Sequence, residues 1–250
     1  MKKFAFFAAC AAALGLMAAP ASFADDQKTV VVGTNAEFPP FEFVTAKGII
    51  DQYDGIDIAI IKQFADDHNV KVRIENMEFD SILMALANGK IDCSISGMTI
   101  TDERKEAVDF SNPYYAATQV MIVKEGSPIK KAADMADKKI LVIQGYTGEI
   151  CVKDMGYKYE AFKKGTEAVL ELMNGKCDVV VIDSATAEKY VSDTKGLTIV
   201  RDDAAFGVEE YGIAVRKGNP ELLKMLNETV DSMLKSGKIA ELAVKYSEAD

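Results

Sequence analysis

The chain has 250 residues, with 29 Lys and Arg against 39 Asp and Glu, and a formal net charge of −10. Such an acidic chain lacks the basic face on which nucleic-acid-binding proteins depend, and its length suffices for one large domain or two modest ones. One histidine and four sparse cysteines match neither a zinc motif nor a disulfide framework. We therefore expect no metal, no cofactor and no nucleic-acid partner. Cys93, Cys151 and Cys177 are expected to be small buried hydrophobes, with a Cys151–Cys177 disulfide as the alternative.

The first 24 residues have the order of a secretory signal peptide. Lys2 and Lys3 precede a short apolar run, and the small residues Ser22 and Ala24 stand at the −3 and −1 positions of a cut. We expect cleavage after Ala24 and export to the periplasm. The apolar run is short for a membrane span and no later segment reaches that length, which predicts no stable membrane insertion. Lipid attachment at Cys10 is the alternative, disfavoured because it would leave a very short signal.

The rest of the chain alternates short β-rich runs with amphipathic helical stretches. This alternation predicts mostly parallel sheets whose faces are covered by helices. Predicted strands cover residues 29–33, 70–75, 91–96 and 179–183, and predicted helices cover residues 57–69, 81–88 and 185–191, with a further helix that follows the loop of residues 144–149 and runs to about residue 155.

One helix–strand unit occurs twice. An apolar helix ends in Asn88-Gly89-Lys90 and again in Asn174-Gly175-Lys176, and each time a buried strand follows. Asp80 and Thr166 are the expected N-caps of these two helices. Two copies so far apart predict two similar lobes, because a solenoid has shorter and more numerous repeats. Ligands bind beyond the carboxyl ends of the strands in such sheets, so facing lobes predict a cleft lined by strand-end loops.

The loop of residues 96–104 offers groups that bind a carboxylate. The planar guanidinium of Arg104 can hold a carboxylate through two parallel hydrogen bonds. Thr101 is placed to cap the helix that follows. The other contributors are the hydroxyls and flexible backbone of Ser96, Gly97 and Thr99. In the alternative, the guanidinium pairs at the surface with Asp102, Glu103 or Asp109, and the local residues favour neither interpretation.

Two later segments offer matching groups. Residues 144–149 place two glycines and Thr147 before a helix, whose free N–H groups attract an anion. A tight turn explains the glycines equally well. The apolar strand of residues 179–183 ends in Asp183, whose carboxylate can accept an ammonium group or can cap the next helix, and local chemistry favours the cap.

Residues 35–43 combine three aromatic side chains with two prolines. The prolines stiffen this loop, so Phe38 is placed to present its ring to a ligand. Core packing is the alternative for Phe38, and it is the interpretation that we favour for Phe41 and Phe43.

Five sets of segments follow one another along the chain: Gly33-Thr34-Asn35 with Pro40-Phe41-Glu42, Gly55-Ile56-Asp57, Ile100-Thr101-Asp102-Glu103-Arg104, Asp109-Phe110-Ser111 with Tyr114-Tyr115, and Tyr211-Gly212-Ile213-Ala214. In this order, these segments and loops resemble the periplasmic polar-amino-acid-binding proteins of ABC importers, known as solute-binding protein family 3. The resemblance covers essentially the whole chain after the signal peptide. Ala59 departs from the acid that is often found at its position, which is helical and says little about the ligand.

The family implies an α/β fold of the type II periplasmic-binding-protein-like kind, with two lobes and a discontinuous first lobe. In this chain the first lobe would comprise residues 25–115 and 211–250, and the second residues 116–210. The two hinge crossings would lie near residues 116–117 and 209–211. The implied partners are a free amino acid and the permease–ATPase complex of an ABC importer, with no enzymatic activity and no cofactor.

The resemblance also assigns roles to the strand-end residues. Arg104 resembles the clamp for the ligand α-carboxylate, and Asp183 resembles the acceptor of the α-ammonium. Phe38 would cover the ligand and Phe79 would wall its other side. A buried zwitterion needs both charges paired, because an unpaired buried charge costs several kcal/mol. The remaining expected contacts are Ser96, Gly97, Thr99, Thr147 and Gly148.

Side-chain selectivity is expected from polar residues near the pocket, which are Asn35, Glu37, Gln144, Tyr146 and Glu210. Glu37 or Glu210 would receive a basic side chain, which favours arginine, lysine or histidine over glutamine, unless both glutamates face water. Asn35 stands where members that bind basic ligands often have Asp, and Ile182 stands where some glutamine-binding members have His.

Two other functions use the same scaffold. Some relatives of the fold are arogenate or prephenate dehydratases. The sequence shows no free His base, no nucleophile dyad and no metal spacing, so an acid catalyst would have to be a cleft carboxylate such as Glu37. The other alternative is a ligand-sensing module that docks on a receptor.

Overall fold

The structure, a computed structural model, describes residues 27–247. The predicted signal peptide, its cleavage site and Cys10 lie outside these residues. The strands are β1 (Thr29–Thr34), β2 (Glu37–Phe38), β3 (Glu42–Val44), β4 (Tyr53–Asp54), β5 (Lys71–Asn76), β6 (Cys93–Ser94), β7 (Val108–Phe110), β8 (Tyr115–Lys124), β9 (Ile140–Ile143), β10 (Tyr159–Phe162), β11 (Val179–Asp183), β12 (Leu197–Val200), β13 (Val208–Tyr211) and β14 (Ala214–Arg216).

The helices alternate with these strands along most of the chain, as the sequence predicts. Across residues 27–247, no helix has the length and apolar character needed to cross a membrane. The helices are α1 (Ile56–His68), α2 (Ile82–Ala87), α3 (Asp102–Ala107), α4 (Thr147–Asp154), α5 (Gly165–Met173), α6 (Ser184–Asp193), α7 (Pro220–Lys235) and α8 (Lys238–Ser247), with 3₁₀ turns at Phe79–Ser81 and Ala132–Met135.

Two sheets arrange their strands in an equivalent way, although the strand numbers differ. The first runs β5-β1-β6-β14-β7, and the second runs β10-β9-β11-β8-β12, with β13 as an additional partner of β8. In each sheet one strand, β14 or β8, runs against all the others, and it is the strand that enters the sheet from the other part of the chain. Most strands of each sheet therefore point in one direction, as predicted, although every pairing made by the reversed strand is antiparallel.

We call the part of the protein built on the first sheet the first lobe, and the part built on the second sheet the second lobe. The first sheet takes its strands from residues 29–110 and 214–216, and the second from residues 115–200 and 208–211. The chain crosses between them along β8 and β13, which pair antiparallel with Tyr211 opposite Tyr115. The exact lobe boundaries stay a prediction. The first sheet does take its strands from two separate stretches of the chain, as a discontinuous first lobe requires.

Both helices of the repeated unit begin differently from the prediction. A 3₁₀ turn, Phe79–Ser81, precedes α2, so that Asp80 lies within that turn. The other helix, α5, begins one residue before Thr166. Asp80 and Thr166 as N-caps are therefore wrong, because each chain segment enters its helix earlier than the capping pattern indicates.

The two lobes are in contact across the cleft. The Tyr146 hydroxyl donates a hydrogen bond to Asn35 Oδ1 at 3.1 Å, and Lys164 Nζ lies 2.8 Å from Glu37 Oε1. One hydrophobic cluster includes side chains of both sheets together with Phe38 and Tyr146. The structure is therefore a closed conformation.

Elsewhere, Cys93, Cys151 and Cys177 are free thiols, of which Cys93 and Cys177 are buried.

Candidate functional site

Four strand ends meet at the cleft. The carboxyl ends of β1 and β6 in the first lobe face those of β9 and β11 in the second, and the loops that follow them carry polar side chains. This is the position at which open α/β sheets bind ligands.

In the first lobe, Thr101 accepts a hydrogen bond from the Arg104 N–H at 3.1 Å, so it caps α3 as predicted and fixes the start of that helix.

Arg104 is buried, with 6% of its surface exposed. Its Nη1 donates to the Thr99 carbonyl at 2.7 Å, and its Nη2 donates across the cleft to the Gly145 carbonyl at 3.0 Å. The guanidinium carbon lies 5.3 Å from the ring centre of Phe79. Burial lowers the pKa of Arg104, and the charge of Asp183 opposes that effect. These contacts place the guanidinium inside the cleft, away from the surface carboxylates that were its alternative partners.

Asp183 ends β11 on the opposite side of the cleft and has 3% of its surface exposed. It occupies the N-cap position of α6, but its side chain makes no capping hydrogen bond. The carboxylate instead accepts a hydrogen bond from the Tyr211 hydroxyl. Burial raises the pKa of Asp183 to about 7 and the charge of Glu209 acts in the same direction, whereas the bond from Tyr211 lowers it. Asp183 is thus a desolvated carboxylate that a bound cation would stabilise.

Aromatic rings from both lobes surround the space between these charges. The Tyr146 ring lies edge-on to Phe38 at 5.3 Å and to Phe79 at 4.7 Å between ring centres. Phe38 is also stacked on Phe41, at 5.4 Å. Edge-to-face pairs at these distances are favourable and hold their rings in place. The result is an apolar wall with negative ring faces, a surface that suits a cation.

The cavity between these groups is partly open, and its accessible volume of about 10 Å³ is about that of one water molecule. A larger ligand therefore requires the two lobes to move apart. Eight of the nine predicted ligand contacts line the cavity, and Gly148 does not. Gly148 packs behind Thr147, where a Cβ atom would lie 2.7 Å from Gln119 Oε1. The lining residues are Phe38, Phe79, Ser96, Gly97, Thr99, Arg104, Tyr146, Thr147 and Asp183.

The residues predicted to set selectivity are dispersed. Of these five residues, Tyr146 alone lines the cavity. Asn35 is buried and accepts a hydrogen bond from the Tyr146 hydroxyl. Glu37 pairs with Lys164 across the cleft. Gln144 is exposed and donates to Asp80 at 2.9 Å.

Glu210 is exposed on the outer face of β13, where it borders a surface groove with Thr101 and Lys105. This corrects its predicted place beside the pocket. Adjacent residues of a strand point to opposite faces, and the inward position belongs to Glu209.

Glu209 and Gln119 were missed by the sequence analysis. Glu209 Oε2 accepts hydrogen bonds from Thr147 Oγ1 at 2.6 Å and from Thr99 Oγ1 at 3.1 Å, which are hydroxyls of opposite lobes. Gln119 Nε2 donates to the same oxygen at 3.1 Å. Tyr211 is the residue that could have pointed to Glu209 in the sequence. It is two residues from Glu209 and therefore lies on the same face of β13.

The site can bind a dipolar molecule, with a cation facing one end and a carboxylate facing the other. Arg104 carries one positive charge, while Asp183 and Glu209 supply two carboxylates, so the ionised site has an excess of one negative charge. Within residues 27–247, no cluster of three or more His, Cys, Asp and Glu side chains is placed to hold a metal ion.

Residues 30–249 match the bacterial extracellular solute-binding proteins, family 3. The chain is 36% identical over 260 residues to a "Probable histidine-binding protein" of Neisseria gonorrhoeae, covering 98% of this chain and 96% of the relative. It is 35% identical over 261 residues to an L-arginine-binding protein of Pseudomonas aeruginosa, covering 100% and 98%.

Among solved structures, the chain is similar to the arginine-, lysine-, histidine-binding protein ArtJ of Geobacillus stearothermophilus. The TM-score is 0.82 at 35% identity, covering 88% of this chain and 95% of that one. The chain belongs to the bacterial extracellular solute-binding proteins, family 3, and it has the two-lobed type II periplasmic-binding-protein-like fold that the sequence predicts.

Proposed function

We propose that this protein binds a free basic L-amino acid between its lobes and delivers it to the permease–ATPase complex of an ABC importer. The observation that carries the proposal is the pair of opposite charges, Arg104 and Asp183, on facing sides of a closed cavity. The guanidinium would hold the α-carboxylate and Asp183 the α-ammonium, since a zwitterion leaves water at low cost only when both charges are paired. With one anchor on each lobe, the ligand itself stabilises closure.

The charge of the site supports a basic side chain. A neutral zwitterion would leave the excess negative charge of Asp183 and Glu209 uncompensated, whereas a ligand with one additional positive charge neutralises it. The rings of Phe38, Phe79 and Tyr146 suit a guanidinium or ammonium group, because cations are attracted to aromatic faces. The names of the similar proteins, which refer to histidine, arginine and lysine, support the same ligand class.

We infer a periplasmic location after cleavage behind Ala24, which the description of the family as extracellular supports. The two similar curated proteins are named as binding proteins, which favours transport over the dehydratase alternative. If incubation of the protein with prephenate yields no phenylpyruvate, the dehydratase alternative can be set aside.

Titration calorimetry of protein freed of ligand by unfolding and refolding tests the proposal. We expect arginine, lysine or histidine to bind with a Kd in the micromolar range or tighter, which corresponds to about 8 kcal/mol or more. Glutamine should bind at least roughly tenfold more weakly, because it lacks the compensating charge. Tighter binding of glutamine or cystine would contradict the basic class, and failure of all amino acids to bind would contradict the function.

Glu209→Gln tests the charge argument. Gln retains an acceptor for Thr99 and Thr147 but removes one negative charge. We expect the preference for arginine over glutamine to fall by roughly tenfold, since a nearby partly buried unit charge is worth of the order of 1–2 kcal/mol. Glu210→Gln is the matched control, because it makes the same change on the exposed face of the same strand. Equal effects of the two substitutions would show that selectivity does not depend on Glu209.

A further inference from the structure

Two carboxyl groups are buried behind the cleft. Glu42 of β3 and Asp57 of α1 are both 0% exposed, and their carboxyl groups lie within hydrogen-bonding reach of each other. Both carboxyl oxygens of Glu42, and Oδ1 of Asp57, are buried without a hydrogen bond from any other described residue. Buried polar atoms without partners are costly, and two adjacent buried charges are more so. A shared proton, with Glu42 neutral and donating to Asp57 Oδ1, gives one oxygen of each carboxyl group a partner and removes one of the two charges.

The surroundings favour this arrangement of the proton. Burial, and then the charge of Asp57, raise the pKa of Glu42 well above its ordinary value. Burial raises the pKa of Asp57 only to about 6, because the Gly97 N–H and the Tyr114 hydroxyl stabilise its charge. The other titratable groups that face Glu42 are the Asp183 carboxylate and the hydroxyls of Tyr114 and Tyr146. Asp183 opposes a second negative charge, so it also favours the protonated form of Glu42.

Asp57 contacts the loop that lines the binding cavity. Its Oδ2 accepts hydrogen bonds from the Gly97 N–H at 2.8 Å and from the Tyr114 hydroxyl at 2.9 Å. Gly97 has a φ of 53° and lies against the ring of Phe38, where a Cβ atom would approach to 2.3 Å. Asp57 therefore fixes a turn that only glycine suits, and through that turn it supports the aromatic wall at Phe38.

Tyr114 extends the contact toward the other lobe. Its ring centre lies 6.3 Å from that of Tyr211, and the Tyr211 hydroxyl donates to Asp183. The buried pair thus connects to Gly97 on one side of the cavity and, through two tyrosines, to Asp183 on the other. Residues that hold binding groups in this way decide how accurately a site is preorganised.

We propose that Glu42 and Asp57 are positioning residues that share one proton and set the geometry of the binding site through the Gly97 amide and the Tyr114 hydroxyl. Neither carboxyl group touches the ligand. The inference rests on the proposed function, because one of its two readouts is ligand affinity.

The first readout compares the Kd for arginine among variants of the pair. Glu42→Gln keeps a donor toward Asp57 in a side chain of the same shape, so its Kd should stay within about threefold of wild type. Glu42→Leu leaves Asp57 Oδ1 without a donor, and Tyr114→Phe removes one of the two donors to Oδ2. Each should raise the Kd by roughly 5- to 100-fold, since an unsatisfied buried group or a lost hydrogen bond to a charged group costs about 1–3 kcal/mol.

Asp92→Ala is the control for a merely structural effect. Asp92 Oδ2 accepts the Val31 N–H at 2.8 Å in the same lobe, and Asp92 does not line the cavity. This variant should lower the melting temperature while the Kd, measured well below melting, stays unchanged. An unchanged Kd in Glu42→Leu and Tyr114→Phe, both shown to be folded by circular dichroism, would overturn the positioning role.

The second readout is the infrared carbonyl stretch of a protonated carboxylic acid at pH 8. It is measured in the Asp183→Asn background, so that Asp183 does not contribute, and it needs no ligand. We expect the band in this background and its loss when Glu42→Gln is added. A spectrum without the band would overturn proton sharing. If no amino acid binds to the wild type, the proposed function fails, while the infrared band still tests the proton between Glu42 and Asp57.

Discussion

Replacing Arg104 by alanine is expected to abolish measurable binding of every amino acid. The ligand α-carboxylate would remain buried in the closed cleft without its cation. Removal of one partner of a buried charge pair costs about 3–5 kcal/mol, so the Kd should rise by roughly 10²- to 10⁴-fold. Isothermal titration with arginine at pH 8 measures the loss. Arg104→Lys should fall between alanine and the wild type, because an ammonium cannot make the two parallel hydrogen bonds of a guanidinium.

Arg104 also donates to the Gly145 carbonyl across the cleft, so its loss could weaken closure as well as carboxylate recognition. Arginine amide separates these effects, because it lacks the carboxylate but keeps the rest of the ligand. The wild type should prefer arginine to the amide strongly, and Arg104→Ala should bind both equally weakly. A variant that still prefers the carboxylate would contradict the assignment.

Arg201→Ala is the matched control for this substitution. Arg201 lies on the surface and forms an exposed ion pair with Glu188. Surface pairs contribute about 0–1 kcal/mol, and this pair lies away from the cavity. The Kd should therefore stay within about twofold of wild type, which would tie the loss in Arg104→Ala to its position and not to the net charge of the protein.

The fold was largely predictable because its signals are local. Hydrophobic periodicity gave most of the helices and four of the strands, β1, β5, β6 and β11, and the Asn-Gly-Lys repeat indicated two similar lobes. Helix starts were harder to predict. Thr101 caps α3 as predicted, but Asp80 and Thr166 lie inside their helical turns, since residues that favour N-caps also occur in the first turn and the sequence does not fix the register.

The site was predictable where each residue sits at a strand end. Arg104 and Asp183 had plausible local alternatives, and only the resemblance to a family of known fold favoured the cleft. Glu209 and Gln119 were missed for a different reason. Their shared contact joins residues 90 positions apart, and the choice between Glu209 and its neighbour Glu210 depends on which face of β13 turns inward. Which of the two glutamates points inward follows from the tertiary packing of Tyr211 on the same strand, and the local sequence pattern does not show it.

Replacing Asp183 by asparagine is expected to remove recognition of the α-ammonium group while stabilising the ligand-free protein. The bound ammonium would lose its charged partner, so the Kd for arginine should rise by roughly 10²-fold or more. Arginine lacking its α-amino group should bind Asp183→Asn and wild type about equally. Equal losses for arginine and for this desamino analogue would contradict the role of Asp183.

The pH dependence gives the sharpest test of the same assignment. Ligand binds the ionised carboxylate, and burial raises the pKa of Asp183 to about 7 in the ligand-free protein. Affinity should therefore fall as the pH drops below 7. At pH 5 roughly 1% of the carboxylate is ionised, so the Kd should be about 100-fold higher than its plateau above pH 8. Asp183→Asn should have a flatter profile, and the same slope in both proteins would contradict the assignment.

The free energy of unfolding of the ligand-free protein should rise as the pH drops, whereas the affinity for ligand should fall. A carboxyl group whose pKa is higher in the folded than in the unfolded state favours folding when it is protonated; this contribution is fully present below the unfolded pKa of 3.8 and is lost as the pH rises from there to about 7. The wild type should lose up to about 4 kcal/mol of unfolding free energy in this way. Asp183→Asn avoids the loss, so its melting temperature without ligand at pH 8 should exceed that of wild type. A lower melting temperature there would mean that Asp183 stabilises the fold, whereas the expected increase means that the protein keeps a destabilising buried charge because its ligand requires one.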